Sequence, residues 1–144
     1  MTIGPIDHVA IVVRSIDEAL PRYRALFGWA PIDEPRIFAS QHVRLCFLAP
    51  GAGQGAKLEL VEPTDDESGV ARFLAARGEG LHHVCLISDD LPGDLEALAA
   101  LEAELIDREP RAGAHGDVAF LHPRALNGVL WELLSTVRDE EPRA

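Results

Sequence analysis

Residues 6–13 read Ile6-Asp7-His8-Val9-Ala10-Ile11-Val12-Val13, and residues 81–88 read Leu81-His82-His83-Val84-Cys85-Leu86-Ile87-Ser88. Each run is short and mostly apolar, and a stretch with helical spacing follows it, so each predicts a strand that leads into a helix. Each copy closes on a strand with a glutamate between apolar neighbours: Lys57-Leu58-Glu59-Leu60-Val61, then Leu130-Trp131-Glu132-Leu133-Leu134. Glu59 follows His8 by 51 residues and Glu132 follows His83 by 49, so the pattern predicts a duplicated module.

The two copies predict an α+β fold built from tandem β-α-β-β-β modules. In the first copy Ser15 offers an N-cap with Glu18 as its capping-box partner, and residues 29–41 are irregular. The remaining elements are predicted as strands 42–49, 57–62, 82–88, 104–108, 117–121 and 128–135, with a helix at 92–103. We predict a single domain over 1–144: module one at about 4–63, a linker helix at about 64–79, module two at about 80–137 and a frayed tail at 138–144.

Composition narrows the class of protein. The 144 residues are 47% hydrophobic and carry a formal charge of −11, which argues against a nucleic-acid partner because phosphate contacts need a basic face. No apolar run approaches the roughly 20 residues of a membrane span, and no basic segment of a signal peptide precedes the first strand. Cys46 and Cys85 lie in apolar strand patterns, which favours buried thiols over a disulfide. We therefore expect a cytoplasmic protein that does not bind a membrane.

The histidines and glutamates of the repeat are the candidate site. Each glutamate alone is compatible with the solvent face of a strand, and each histidine with a hydrogen-bonded core position. Duplication favours a shared purpose, with His8, Glu59, His83 and Glu132 as ligands of one divalent metal. Two imidazoles and two carboxylates suit Co²⁺, Mn²⁺, Ni²⁺, Zn²⁺ or Fe²⁺, and an octahedral ion would keep two positions open for a chelating substrate.

The chain resembles the vicinal oxygen chelate superfamily and, within it, the methylmalonyl-CoA epimerases, from residue 6 to about 135. The resemblance rests on the runs 6–11, 58–63, 66–74, 78–84, 113–116, 120–123 and 127–133. It implies two modules whose sheet curls around a metal cleft, a homodimer, and the same four metal ligands. The implied reaction is epimerisation (or racemisation) at the α-carbon of a malonyl-type CoA thioester, by proton abstraction through a metal-stabilised enolate. Glu132 counts among the catalytic residues as well as the ligands.

One stretch departs from that family's pattern. The family carries a glutamate base just before the strand at 43–48, where this chain has Ser40-Gln41-His42, so Ser40 stands in place of the glutamate. If this stretch is extended, His42 shares a face with Ser40 and could supply the base. The alternatives are an acid from residues 29–41, such as Glu34, or a different reaction. We take His42 and Ser40 as the candidate catalytic residues.

Two other functions remain open on this sequence. One is a glyoxalase-type lyase or isomerase acting on a hemithioacetal, or another metal-dependent enzyme with a different chelating substrate. The other is a non-catalytic module that binds a small molecule and confers resistance. Metal analysis of the purified protein separates the last from the enzymes, because such a module would need no metal for ligand binding.

Overall fold

A computed structural model describes residues 1–51 and 53–136. The strands are β1 (Ile3–Val12), β2 (Ala30–Pro31), β3 (Arg36–Phe38), β4 (Val43–Ala49), β5 (Lys57–Pro63), β6 (Gly80–Ser88), β7 (Arg111–Ala112), β8 (Asp117–Leu121) and β9 (Trp131–Ser135). The helices are α1 (Ile16–Phe27), α2 (Gly69–Arg77) and α3 (Leu91–Ala100), with 3-10 turns at Ala39–Gln41 and Pro123–Ala125. The predicted end of module two at 137 and the predicted tail lie outside the described residues.

Residues 8–82 form one compact unit. Its part of β1 runs parallel to β5, β4 lies antiparallel to β5, and β2 and β3 both pair antiparallel with β4. The Ser15 side chain accepts the Glu18 N–H at 3.2 Å and so begins α1 where the sequence predicts it. That helix covers one face of the sheet through a cluster of Val13, Ile16, Cys46, Leu48 and Leu60.

The second compact unit combines residues 1–7 with residues 83–136. Here β6 runs parallel to β9, β9 pairs antiparallel with β8, and β8 pairs antiparallel with β7. Helix α3 covers one face through a cluster of Leu91, Leu95, Ala119, Leu121 and Leu133. The second unit has the predicted order β-α-β-β-β, and the first has the same order with one additional short strand, β2, after its helix. The predicted α+β class is confirmed.

The predicted strand at 104–108 is wrong. Only a single bridge, Leu105 to Leu121, forms there. The backbone N–H groups of Ile106 and Asp107 both donate to the Phe120 carbonyl, at 2.9 and 3.2 Å, so a regular ladder cannot continue. Two other boundaries shift: β9 begins at residue 131 instead of 128, and the irregular segment 29–41 holds the short strands β2 and β3.

A buried carboxylate ties the N-terminus to α3. The Asp94 side chain is 1% exposed and accepts hydrogen bonds from the Thr2 N–H at 2.7 Å, the Thr2 hydroxyl at 2.8 Å and the Ser88 hydroxyl at 2.7 Å. Burial by itself raises the pKa of the Asp94 carboxyl, and the hydrogen bonds from Ser88 and Thr2 outweigh it, so the pKa lies below its ordinary value. The carboxylate therefore stays ionised and organises this end of the unit.

Cys46 and Cys85 are buried and form no disulfide with each other, as predicted. Burial raises the pKa of the Cys46 thiol, with the charges of Glu34 and Asp33 adding to the rise, so this thiol is a packing residue at neutral pH. Among the residues that the structure describes, no helix is both long enough and apolar enough to cross a membrane.

Candidate active site

In the unit of residues 8–82, His8 and Glu59 lie on the face of the sheet that α1 does not cover. Alternation along the strands puts Cys46, Leu48 and Leu60 toward α1, so residues of the other parity face away from the helix. The His8 Nε2 lies 3.9 Å from a Glu59 carboxylate oxygen. His8 is 4% exposed and Glu59 is 8% exposed, so Glu59 does not lie on an open solvent face.

The second unit repeats this arrangement with His83 and Glu132. Ala119, Leu121 and Leu133 pack toward α3, and the alternate positions carry the histidine and the glutamate. The His83 Nε2 lies 2.7 Å from a Glu132 carboxylate oxygen, and both residues are 8% exposed. Burial of a lone carboxylate costs several kcal/mol, so a buried histidine–glutamate pair at the matching position of each unit indicates a function for the pairs.

A phenylalanine stands beside each pair. Phe47 lies directly opposite Glu59 across β4 and β5, and Phe120 lies directly opposite Glu132 across β8 and β9. The Phe47 ring meets the His8 ring edge-on, at 5.0 Å between centroids and 87° between planes. The Phe120 and His83 rings do the same at 5.6 Å and 90°. Each imidazole therefore packs against one phenylalanine ring, in the edge-on geometry that aromatic pairs prefer.

No single motif in the sequence points to the two phenylalanines, although their spacing from the glutamates repeats. Phe47 precedes Glu59 by 12 residues, and Phe120 precedes Glu132 by 12. In each half the phenylalanine and the glutamate lie on neighbouring antiparallel strands and pair directly with each other. The phenylalanine therefore belongs to the repeat together with the histidine and the glutamate. All of β4 is described, and the residues of it on the Glu59 face are apolar: Val43, Leu45, Phe47 and Ala49. No residue of β4 on that face can act as an acid or a base.

Ser40 and His42 lie at the tip of the hairpin between β3 and β4. The condition on which His42 would share a face with Ser40, an extended stretch, is not met: Ala39–Gln41 is a 3-10 turn, and His42 has a left-handed backbone with φ of 56°. Ser40 and His42 therefore do not share a strand face. The His42 carbonyl accepts the Thr64 N–H at 2.9 Å. Thr64 comes directly after β5 and five residues after Glu59, which is about 16 Å of extended chain.

The His42 imidazole is engaged at this tip. Its Nδ1 lies 2.6 Å from an Asp65 carboxylate oxygen, and the His42 side chain is 43% exposed. The Glu67 backbone N–H, followed by the His42 hydrogen bond, holds the pKa of the Asp65 carboxyl below its ordinary value. The Glu34 carboxylate, the other base considered, acts on the Cys46 thiol on the α1 side of the sheet. The His42 imidazole is thus held by Asp65 at the hairpin tip.

The chain belongs to the Glyoxalase/Bleomycin resistance protein/Dioxygenase superfamily, whose family model matches residues 7–120. Within that superfamily it is similar to methylmalonyl-CoA epimerases. The mitochondrial methylmalonyl-CoA epimerase of Dictyostelium discoideum is 38% identical over 133 residues, which cover 91% of this chain and 78% of the relative.

Solved structures extend the likeness over nearly the whole chain. Methylmalonyl-CoA epimerase from Mycobacterium tuberculosis matches with a TM-score of 0.88 and 29% identity, over 95% of this chain and 91% of that one. A Streptomyces coelicolor methylmalonyl-CoA epimerase in complex with 2-nitronate-propionyl-CoA matches with a TM-score of 0.84 and 32% identity, over 94% of this chain and 100% of that one. These matches confirm the predicted resemblance and fold class, and the relatives' names support an isomerase.

Proposed function

We propose that the chain is a metal-dependent epimerase that moves a proton at the α-carbon of a malonyl-type acyl-CoA thioester. The observation that carries the proposal is the repeated buried pair, with a histidine Nε2 facing a glutamate oxygen on the same face of each unit. The relatives named as methylmalonyl-CoA epimerases supply the substrate class. In this proposal the two pairs converge on one site.

The donor set fits a divalent metal. Two imidazole nitrogens and two carboxylate groups, all buried, match what Co²⁺, Mn²⁺, Ni²⁺, Zn²⁺ and Fe²⁺ accept. His8, Glu59, His83 and Glu132 would hold the ion. When bound, the ion would supply Lewis acidity toward the oxygen atoms of a chelating thioester and so acidify the α-carbon.

The chain's own residues then have separable tasks. Phe47 and Phe120 fix the orientation of the two imidazoles, and the apolar residues of β4 keep water away from the carbon that loses its proton. Of the predicted catalytic residues, Glu132 shares a face with a histidine of the pairs, so we assign its carboxylate to proton transfer. Ser40 and His42 are the candidates from the sequence for the group that serves the opposite face, and substitution of each tests them below. The homodimer and the cytoplasmic location also stay predictions.

The first test is α-proton exchange. Protein loaded with Co²⁺ or Mn²⁺ and incubated with methylmalonyl-CoA in D2O should exchange the α-proton at a rate well above that of a chelated sample, as followed by NMR. We expect slow exchange in the chelated sample because it lacks the Lewis acid that makes the α-carbon acidic. Absence of exchange from protein that demonstrably holds metal would contradict the epimerase and favour a hemithioacetal or another chelating substrate.

Substitution of His42 by alanine tests the hairpin tip. Because Asp65 holds the His42 imidazole at the hairpin tip, we expect exchange within about threefold of the unsubstituted protein, whereas loss of a true general base costs about a hundredfold or more. Ser40→Ala, at the same tip, serves as the matched variant. A hundredfold loss in His42→Ala, with an unchanged melting temperature, would instead establish His42 as the base.

A further inference from the structure

Two arginines occupy matching positions in the two units. Arg36 of β3 lies directly opposite Leu45, and Arg111 of β7 lies directly opposite Val118. Leu45 and Val118 each stand two residues before the phenylalanine that faces the site glutamate. Directly opposed residues share a face of a sheet, and so do residues two apart on a strand. By strand register, each arginine therefore lies on the face of the sheet that carries the histidine–glutamate pair of its own unit.

The sequence spacing repeats as well. Arg36 follows His8 by 28 residues, and Arg111 follows His83 by 28. Both arginines end the tripeptide Glu-Pro-Arg, at 34–36 and 109–111. A third copy, at 141–143, also follows a histidine, His115, by 28 residues, but it lies outside the described residues, so strand register is what sets Arg36 and Arg111 apart. Equal spacing together with equal strand register makes the arginine a member of the repeat, alongside the histidine, the phenylalanine and the glutamate.

Arg111 is held in a defined position beside the site. Its guanidinium carbon lies 5.1 Å from the centre of the Phe120 ring, the same ring that packs on His83. Its Nε lies 3.3 Å from an Asp107 carboxylate oxygen. That same oxygen accepts the Phe120 backbone N–H at 2.9 Å, and the Asp107 side chain is only 16% exposed. One phenyl ring thus separates an oriented guanidinium from the imidazole of the proposed site.

The net charge of the chain makes a cation beside the site useful for binding an anion. A protein with a formal charge of −11 repels an anionic thioester, and a local cation offsets that repulsion. A planar guanidinium suits carboxylates and phosphates because it donates two parallel hydrogen bonds to their oxygens. The Arg111 side chain is 47% exposed, which leaves it open to a ligand.

We propose that Arg111 binds an anionic oxygen group of the thioester substrate, with Arg36 at the matching place in the first unit. This inference rests on the proposed function for the identity of the substrate. Such a group is either the carboxylate of the acyl part or a phosphate of the CoA part, and both offer the same oxygen chemistry. Arg111 is a specificity residue in this role, since it touches the substrate away from the carbon that reacts.

The test compares two substrates and three variants. The exchange rate is measured against concentration for methylmalonyl-CoA and for methylmalonyl-pantetheine, which lacks the phosphates. Arg111→Gln removes the charge, Arg111→Lys keeps it, and Arg124→Gln removes an equal charge at an exposed position paired with Glu104. Binding of CoA alone is measured by calorimetry, and thermal melts show whether each variant folds.

We expect Arg111→Gln to raise KM for methylmalonyl-CoA about tenfold, with little change in kcat, because a charge-assisted contact outside the reacting centre is lost. Arg111→Lys should recover part of the loss, and Arg124→Gln should match the unsubstituted protein. A rise in KM for methylmalonyl-CoA alone assigns the contact to a phosphate. An equal rise in KM for methylmalonyl-CoA and methylmalonyl-pantetheine assigns it to the carboxylate. Unchanged KM for both esters overturns the inference and leaves the epimerase proposal intact.

The two proposals can fail separately. If the unsubstituted protein exchanges no proton but Arg111→Gln still weakens CoA binding about tenfold, the epimerase proposal fails and the anion contact stands. If the unsubstituted protein exchanges no proton, and Arg111→Gln binds both CoA and methylmalonyl-CoA as tightly as the unsubstituted protein in the same calorimetry, the anion contact is overturned too.

Discussion

Glu132→Gln should lower α-proton exchange by at least about a hundredfold even at saturating metal, because the amide cannot accept the proton that a carboxylate accepts. The substitution keeps the size of the side chain and its place opposite Phe120. Glu59→Gln is the matched variant, since Glu59 occupies the same position in the other unit. We expect both variants to bind metal more weakly and only Glu59→Gln to regain exchange when metal is supplied in excess.

The measurement combines NMR exchange rates in D2O with metal affinity from competition against a chelator. Glu96→Gln, a change of the same kind on the exposed side of α3, is the control and should behave as the unsubstituted protein. Near-normal exchange in Glu132→Gln would remove Glu132 from proton transfer. Recovery of both variants with excess metal would reduce both glutamates to ligands.

Asp94→Ala should lower the free energy of unfolding by about 2–4 kcal/mol, since it strips the acceptor from the Thr2 and Ser88 donors in a buried place. Urea denaturation measures the loss, and Asp66→Ala, an exposed aspartate, is the control. Asp94→Asn keeps an acceptor oxygen and should lose less. A loss below about 0.5 kcal/mol in Asp94→Ala, the range of ordinary surface changes, would show that the network stabilises little.

The same carboxylate makes stability depend on acid. Because its hydrogen bonds hold the pKa of Asp94 below the ordinary value, its contribution is complete above the unfolded pKa of about 3.9 and disappears as pH falls through the lower folded value. The unfolding free energy of Asp94→Asn should therefore fall less steeply in this acid range than that of the unsubstituted protein. Identical acid profiles would contradict this assignment.

The sequence predicts the site well where alternation along a strand decides the geometry. His8 and Glu59, and likewise His83 and Glu132, are readable because their strands are apolar and the spacing repeats. The conformation of the hairpin tip at 39–42 could not be predicted, because nothing local in Ser40-Gln41-His42 indicates a 3-10 turn or a positive φ at histidine. Phe120 and Arg111 went unnoticed for another reason: their meaning comes from strand register, which joins residues distant in the chain.

The hairpin tip also accounts for the difference in length between the two halves of the chain. Histidine to arginine is 28 residues in both halves and phenylalanine to glutamate is 12, so the difference of two falls between the arginine and the phenylalanine. The first hairpin continues past Arg36 through the pairs Ile37–Arg44 and Phe38–Val43, whereas the second continues past Arg111 only through Ala112–Asp117. The insertion is thus one additional rung, added at the end of the hairpin with every side chain of the repeat left in phase. Such a tip can be shortened or grafted from one half to the other while the functional faces keep their register.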